Sequence, residues 1–231
     1  MEPINKKLIQ DVISGTYKVI NAEAIQTATA YLRRNAGTGS ESRSAEPRKS
    51  ERQKLEDYIS KNNLWFDSDL IGAYIGKGAE QKVYRFDSKN VIKLNPSTYY
   101  RSWESYLNNL LLHNLFFPQV AYELVGFVRN KDGLNAVVKQ RFVDAVGKVD
   151  LGLVKKIMED NGFKNVKGND YHNYELDVTV EDLHDKNVLI EDGIPYFVDT
   201  VFYIRSKEYK KFESGGAMTL VEQLVNIAKW Q

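Results

Sequence analysis

Two groups of apolar residues near the start of the chain follow the spacing of an amphipathic helix. They are Leu8, Ile9, Val12 and Ile13, then Ala24, Ile25, Ala28 and Leu32. Gly15 separates the two groups. Residues 1–34 are therefore predicted to form a helical N-terminal appendage.

The next segment, residues 35–52, contains almost no apolar side chains and is rich in glycine, serine, glutamate and arginine. A segment with so little apolar surface to bury does not offset the entropy of ordering its backbone. We therefore predict a flexible polar linker over residues 35–52, with the main fold beginning after it.

Strand-like apolar runs and one long helical run follow between residues 53 and 143. We assign a helix to 51–59, strands to 71–84 and 91–94 around a glycine-rich turn, a helix to 99–117 and a hairpin to 120–128 and 134–143. Pro118 ends the long helical run, and an Asp-Gly pair suits the hairpin turn. The predicted order of elements is β-β-β-α-β-β.

The remaining part, residues 144–231, has shorter apolar runs. They predict a helix over 151–158, short strands over 174–180, 187–190 and 196–198, and an amphipathic helix over 220–230. Antiparallel hairpins combined with a few helices make α+β the expected fold class.

Composition narrows the classes of partner and chemistry. The 231 residues are 42% apolar, and 32 basic against 31 acidic residues leave a formal charge of +1. This balance gives no reason to expect a nucleic-acid or membrane partner. The chain has no cysteine, which excludes disulfides, thiolate catalysis and Cys-bound zinc. With no apolar run of membrane-spanning length, we expect a soluble, cytoplasmic protein.

A glycine-rich turn joins the first two predicted strands. Gly76, Lys77 and Gly78 form its centre, and Val83 follows on the next strand. Glycines at such a turn let backbone amides approach phosphate oxygens, and the valine would then pack on a nucleotide base. The alternative is a hairpin that needs glycine only for positive φ.

A lysine in an apolar strand is the second candidate feature. Lys93 lies within Val-Ile-Lys-Leu, where a buried ammonium group needs an anion such as a phosphate or a carboxylate. Glu104, on the helix that follows, is the nearest acidic residue in the sequence after it and is the predicted ion-pair partner. The alternative is an edge-strand lysine and a solvated glutamate.

Three polar residues surround the predicted hairpin near residue 190. Asp182 precedes the hairpin, Asn187 opens its first strand and Asp199 follows its second strand. Amide and carboxylate oxygens of Asn187 and Asp199 suit Mg²⁺, and Asp182 is placed to accept a proton from a hydroxyl group. The alternative is a structural hairpin with polar ends.

This order of features resembles the protein-kinase-like and aminoglycoside-phosphotransferase superfamily, and more narrowly the compact kinase domains of polyvalent proteins of bacterial phages and mobile elements. The resemblance implies a two-lobed fold, with an antiparallel N-lobe sheet and one helix over 53–143 and a reduced C-lobe over 144–231. It implies ATP and Mg²⁺ as cofactors, catalytic roles for Asp182, Lys93 and Glu104, and a metal site at Asn187 and Asp199.

The same resemblance identifies further nucleotide-binding positions. They are the loop residues Gly76, Lys77 and Gly78, then Val83 and Lys93, and the hinge residues Gln140, Arg141, Phe142 and Val143. Gln81 stands where the family has a third glycine, and Thr200 and Val201 replace the Phe-Gly that usually follows the metal aspartate. The segment after Asp199 also has no Ala-Pro-Glu motif, which the family uses in the lobe that holds a peptide substrate. This last departure leaves the phosphate acceptor open, either a protein or a small molecule.

Two alternatives to an active phosphotransferase stay open from the sequence. One is a degenerate kinase-like module that binds a nucleotide or a partner without turnover. The other is a structural component of a larger mobile-element protein, in which the first fifty residues would be a docking arm.

Overall fold

The computed structural model describes residues 4–35, 45–131 and 133–204. The helices within these residues are α1 (Lys6–Ser14), α2 (Ala22–Arg34), α3 (Ala45–Lys61), α4 (Trp103–Phe116) and α5 (Leu151–Asp160). The strands are β1 (Tyr74–Lys77), β2 (Lys82–Arg85), β3 (Asn90–Asn95), β4 (Glu123–Asn130), β5 (Gly133–Arg141), β6 (Lys164–Lys167), β7 (Asp170–Asn173), β8 (Val178–Glu181), β9 (Val188–Glu191), β10 (Ile194–Phe197) and β11 (Val201–Ile204). The fold is α+β, as predicted.

The first five strands form one antiparallel sheet in the order β1-β2-β3-β5-β4. Helix α4 connects β3 to β4, so the predicted order β-β-β-α-β-β is confirmed. Helix α4 begins where the Ser102 side chain accepts the backbone N–H of Ser105, and Pro118 follows its end. This sheet and helix make up the N-lobe of a kinase-like fold.

Helices α1 and α2 pack against α4. Val12, Ile25 and Leu32 lie in the same apolar core as Leu107 and Leu111 of α4. The predicted boundary of an appendage at residue 34 stays a prediction, but the side chains of both helices contribute to the core of the N-lobe.

The expectation of a flexible linker over residues 35–52 is not met for residues 45–52, which form the first half of α3. Residues 36–44 lie outside the described residues. Tertiary contacts stabilise α3: Leu55 and Ile59 are fully buried, and the Glu51 carboxylate accepts the backbone N–H groups of Trp103 and Glu104 at 2.9 and 3.0 Å. The polar composition of residues 45–52 therefore did not indicate the helix that they form, and Glu51 of this helix also caps the N-terminus of α4.

The C-lobe contains α5, a sheet in the order β11-β8-β7-β6 and the separate hairpin of β9 and β10. The hairpin and the helix were predicted. Strands β6, β7 and β11 were not, and the predicted helix over 220–230 lies outside the described residues. In the part of the chain that the structure describes, no helix is both long and apolar enough to cross a membrane.

Candidate functional site

The register of the N-lobe sheet lines up the predicted phosphate and base positions. Gly76 lies opposite Val83, Val83 lies opposite Lys93, and Lys93 lies opposite Val138. Residues directly opposite each other in antiparallel strands point to the same face of the sheet. The face that carries Lys93 therefore also carries Val83, with the glycine turn at its edge. Lys77, which ends β1, is exposed.

The two glycines of the turn are not explained by backbone strain or by internal packing. Neither Gly76 nor Gly78 has a positive φ. A Cβ atom added to Gly76 would meet no atom within 4 Å, and one added to Gly78 would meet only the Gln81 carbonyl oxygen at 3.9 Å. The space above these backbone positions is open, which suits the close approach of a ligand.

Lys93 is buried and reaches the C-lobe. Its Nζ donates a hydrogen bond to the carbonyl oxygen of Val198 at 2.7 Å and lies 5.2 Å from the centre of the Tyr122 ring. Burial lowers the pKa of the Lys93 ammonium, and the nearby negative charge of Asp199 opposes that shift. Asp199 is thus the carboxylate that compensates this buried cation.

The predicted ion pair between Lys93 and Glu104 is not formed. Glu104 instead accepts a hydrogen bond from Arg33 Nε of α2 at 2.6 Å. Helix periodicity explains the difference: Tyr106, Asn109 and His113 occupy the buried face of α4, and Glu104 lies on the side that faces α2.

Strand pairing brings the two ends of the segment from Asp182 to Thr200 together. Glu181, the last residue of β8, pairs with Val201, the first residue of β11. Residues 182–200 therefore connect two paired strands, β8 and β11, and contain the β9 and β10 hairpin. This pairing places Asp182 and Asp199 at the same end of the β8 and β11 ladder, one just after β8 and the other just before β11.

The loop from Asp182 to Asn187 is held by its own backbone and by β7. Asp182 adopts φ +65° and donates its N–H to Asp170 Oδ1 at 3.1 Å. The Asn187 amide nitrogen donates to the Asp182 carbonyl oxygen at 2.9 Å, and the Asn187 carbonyl oxygen accepts the N–H of Val198 at 2.9 Å. Because the amide nitrogen is engaged, the amide oxygen of Asn187 is the group left for a cation.

An additional acidic residue faces this region from the glycine turn. Burial, with a smaller contribution from the charges of Asp199 and Asp182, raises the pKa of Glu80 to about 7, although a hydrogen bond with Tyr100 opposes the shift. Burial and the charge of Asp170 likewise raise the pKa of Glu181 to about 7. Glu80 was not among the predicted site residues, although the sequence shows an acidic residue between Gly78 and Val83.

The side-chain donors of Gln140 and Arg141 in the predicted hinge are engaged within the protein. Gln140 is 2% exposed and its Nε2 donates to the Val120 carbonyl oxygen at 2.6 Å. Arg141 pairs with Glu191 of β9. The ring of Phe142 lies 3.7 Å below the Arg85 guanidinium carbon, and Val143 is buried. Any contact of these residues with a base would involve their backbone or apolar groups rather than the Gln140 and Arg141 side-chain donors.

The side-chain oxygens of Asn187 and Asp199 suit a magnesium ion whose remaining ligands are oxygens of phosphate and water. Residues 4–35, 45–131 and 133–204 contain no cluster of three or more His, Cys, Asp or Glu side chains placed to hold a metal. Mg²⁺ commonly takes one or two protein oxygens and completes its octahedron with phosphate and water. One amide oxygen and one carboxylate are compatible with that mode of binding.

A family model described as a serine/threonine/tyrosine kinase found in polyvalent proteins matches residues 48–206. The matched range includes the glycine turn, Lys93, Asp182, Asn187 and Asp199. No curated protein sequence matches the chain.

Proposed function

The chain belongs to the family of serine/threonine/tyrosine kinases found in polyvalent proteins, and from this premise we propose that it transfers the γ-phosphate of ATP to a hydroxyl group of a protein or a small molecule. The observation that carries the proposal is the hydrogen bond from Lys93 Nζ to Val198, the residue before Asp199. This contact joins the phosphate side and the metal side of a kinase site.

The nucleotide would lie along the sheet face that carries Lys93. The open backbone at Gly76 and Gly78 can approach the phosphates, with Lys77 beside them, and Val83 can pack on the base. Lys93 would bind the α- and β-phosphates, whose negative charge compensates its buried ammonium group. The segment from Gln140 to Val143 would border the base through backbone and apolar contacts.

Asn187 and Asp199 would hold Mg²⁺ through the amide oxygen and the carboxylate. When bound, Mg²⁺ neutralises charge on the transferred phosphoryl group and keeps it in line with its acceptor. The protein contribution is rigidity, because the Asn187 carbonyl oxygen accepts the N–H groups of both Val198 and Asp199.

Asp182 would orient the acceptor hydroxyl and take its proton. Its side chain is exposed, while its backbone is held by Asp170 and Asn187. The hydroxyl oxygen forms a bond to the γ-phosphorus, the bond from that phosphorus to the bridging oxygen breaks, ADP leaves, and the hydroxyl proton passes to Asp182.

A nucleotide-binding module without phosphate transfer is the second candidate. The pairing of Glu104 with Arg33 favours it, because it leaves Lys93 without the helix carboxylate that active protein kinases use. In the structure, Asp199 compensates Lys93 instead.

The two candidates separate in one experiment on the purified chain. ATP and Mg²⁺ are supplied, and both ADP formation and incorporation of labelled phosphate into the chain or into added protein and small-molecule acceptors are measured. Transfer that Asp182→Asn removes supports the phosphotransferase. Binding of Mg²⁺-ATP without transfer to any acceptor supports the binding module, and absence of binding contradicts both.

A further inference from the structure

We propose that His113 of α4 is a positioning residue, which fixes the metal-binding Asp199 through the hydroxyl group of its neighbour Thr200. The inference rests on the proposed function, since it concerns how the same site holds its metal. It assigns to α4 a polar contact with the segment that follows Asp199, in place of the helix carboxylate that was expected at Glu104.

The contact is short and fully buried. His113 Nδ1 lies 2.8 Å from Thr200 Oγ1, and His113 Nε2 lies 3.0 Å from the Val120 carbonyl oxygen. His113 is 0% exposed and Thr200 is 1% exposed. Water therefore does not compete for either hydrogen bond.

The partners determine which nitrogen of His113 carries the proton. Two groups lie against Nε2: the Val120 carbonyl oxygen at 3.0 Å, which can only accept, and Gln140 Nε2 at 3.5 Å, which donates to that same carbonyl oxygen at 2.6 Å. The nearer contact assigns the proton to Nε2 and makes Nδ1 an acceptor. Burial lowers the pKa of His113 to about 3, which keeps the ring neutral. The Thr200 hydroxyl group consequently donates a hydrogen bond to His113 Nδ1. This hydrogen bond fixes the side-chain rotamer of Thr200, the residue next to Asp199.

Further hydrogen bonds hold the backbone on both sides of Asp199. Asn109, one turn before His113, accepts the backbone N–H of Phe202 at 2.7 Å. On the other side, the Val198 carbonyl oxygen accepts hydrogen bonds from Lys93 Nζ and from the Tyr122 hydroxyl at 3.0 Å. Asp199 thus lies between a point held by the sheet and two points held by the helix.

Loss of the Thr200 hydroxyl would leave the buried Nδ1 of His113 without a donor, which is unfavourable because no water replaces the lost hydrogen bond. The segment can reduce this cost by moving, and Asp199 would move with it. We expect the effect on the Mg²⁺-dependent part of ATP binding, because the phosphate contacts of the glycine turn do not involve Thr200.

The experiment compares Thr200→Val, Thr200→Ser and wild type in the full chain. Thr200→Val retains the shape and removes the hydroxyl, whereas Thr200→Ser retains the hydroxyl. Thr179→Val is a matched control, because Thr179 Oγ1 lies 2.9 Å from His172 Nδ1 in a second buried histidine and threonine pair, in the C-lobe sheet. ATP affinity is measured by titration calorimetry with Mg²⁺ and again with EDTA. The readout is the dissociation constant in EDTA divided by the dissociation constant in Mg²⁺, which is large when Mg²⁺ strengthens ATP binding.

We expect Thr200→Val to reduce this ratio by about tenfold, in line with the cost of an unsatisfied buried acceptor. Thr200→Ser should stay within about twofold of wild type, and Thr179→Val should lower the melting temperature without changing the ratio. Should the valine variant fail to fold by circular dichroism, Thr200→Ala takes its place with the same expected loss.

A wild-type ratio in the valine or alanine variant would overturn the inference and leave the proposed function intact. An equal loss in Thr179→Val would also overturn it, because the effect would then reflect general destabilisation. If wild type binds ATP equally with Mg²⁺ and with EDTA, the metal site itself is wrong and both proposals fail.

Discussion

Lys93 connects the N-lobe sheet to the C-lobe through its hydrogen bond to the Val198 carbonyl oxygen. It is 5% exposed, and its ammonium group is compensated by Asp199 rather than by a helix glutamate. Burying a cation costs free energy unless anionic partners are well placed, and a buried titratable group with a shifted pKa beside a carboxylate is a candidate for a binding site.

We expect Lys93→Met to abolish most of the rise in melting temperature that Mg²⁺-ATP causes, while leaving the protein without ligand as stable as wild type or more so. Methionine has a similar length and no charge to desolvate, and the Val198 carbonyl oxygen still accepts the Tyr122 hydroxyl. Thermal denaturation with and without Mg²⁺-ATP checks this. The control is Lys139→Met, which removes a β5 lysine that pairs with Glu123 of β4. This variant should keep the rise in melting temperature. An equal shift in both variants would contradict the role of Lys93.

The proposed function assigns different tasks to Asp182 and Asp199. Asp182→Asn should lower kcat by about 10²-fold or more and leave the affinity for Mg²⁺-ATP nearly unchanged, because it acts on the acceptor hydroxyl. Asp199→Asn should weaken Mg²⁺-dependent binding first. Steady-state phosphate transfer together with calorimetric ATP binding separates the two effects. Wild-type turnover in Asp182→Asn would show that the catalytic loop is assigned incorrectly.

Glu80 makes the stability of the protein depend on pH. Its pKa is raised from 4.5 to about 7 in the fold, mainly by burial, so between these values the folded protein holds a proton that the unfolded chain has lost. Wild-type stability should therefore fall as pH rises through this window.

Glu80→Gln removes this carboxylate, so the variant should match wild type below about pH 4.5 and exceed its stability by on the order of 1 to 3 kcal/mol above about pH 7. Urea denaturation at several pH values, without metal or nucleotide, measures the difference. Glu175→Gln changes an exposed glutamate and is the control. A difference between Glu80→Gln and wild type that does not vary with pH would show that Glu80 is not buried in this way.

At the scale of elements, α4 carries different functions on its different faces. One face buries Leu107 and Leu111 in the core, another faces α2 through Glu104, and Asn109 and His113 hold the chain around residue 200. A helix with so many buried residues depends on its neighbours for stability more than on its own propensity.

Glu104 pairs with Arg33, so it should not be needed for phosphate transfer. A glutamate that paired with Lys93 would be needed. Glu104→Gln should leave phosphate transfer within about twofold of wild type and lower stability by less than about 1 kcal/mol, as for partly exposed ion pairs. Initial rates of transfer and a denaturation curve test both parts. A drop in kcat of two orders of magnitude would show that Glu104 contacts Lys93 during turnover.

At the scale of the whole molecule, the family match begins at residue 48, yet the N-lobe core includes residues before it. Val12, Ile25, Ala28 and Leu32 of α1 and α2 are each no more than 3% exposed, in one core with α4. Burial of an aliphatic side chain contributes about 1.5–3 kcal/mol, so these helices supply a large share of the stability of a domain this size.

A chain that begins at residue 45 should therefore lose on the order of 5 kcal/mol of stability, and its exposed α4 face should promote association. Circular dichroism melting and size-exclusion chromatography of this shortened chain against the full chain provide the measurement. A cooperative transition at the full-chain melting temperature would mean that α1 and α2 are a separate appendage, as the sequence first indicated.

Local sequence patterns determined much of this protein. Hydrophobic spacing and turn residues were sufficient for α1, α2, α4, α5 and the strands of the N-lobe, because these elements each have a regular apolar face or a recognisable turn. The same patterns placed Lys93 within a buried strand and Asp182, Asn187 and Asp199 around one hairpin. All four residues are brought together by the fold.

Tertiary structure alone decided which groups meet. Residues 45–52 are polar, but they form a helix because Leu55 and Ile59 anchor α3 in the core and Glu51 caps α4. Glu104 is the acidic residue closest to Lys93 along α4, but helix rotation directs it to Arg33. Partner choice depends on the three-dimensional direction of each side chain, which sequence separation does not determine. For the same reason, the contact between His113 and Thr200 could be found only in the structure, because two residues so far apart in sequence meet only when the strands and α4 have packed.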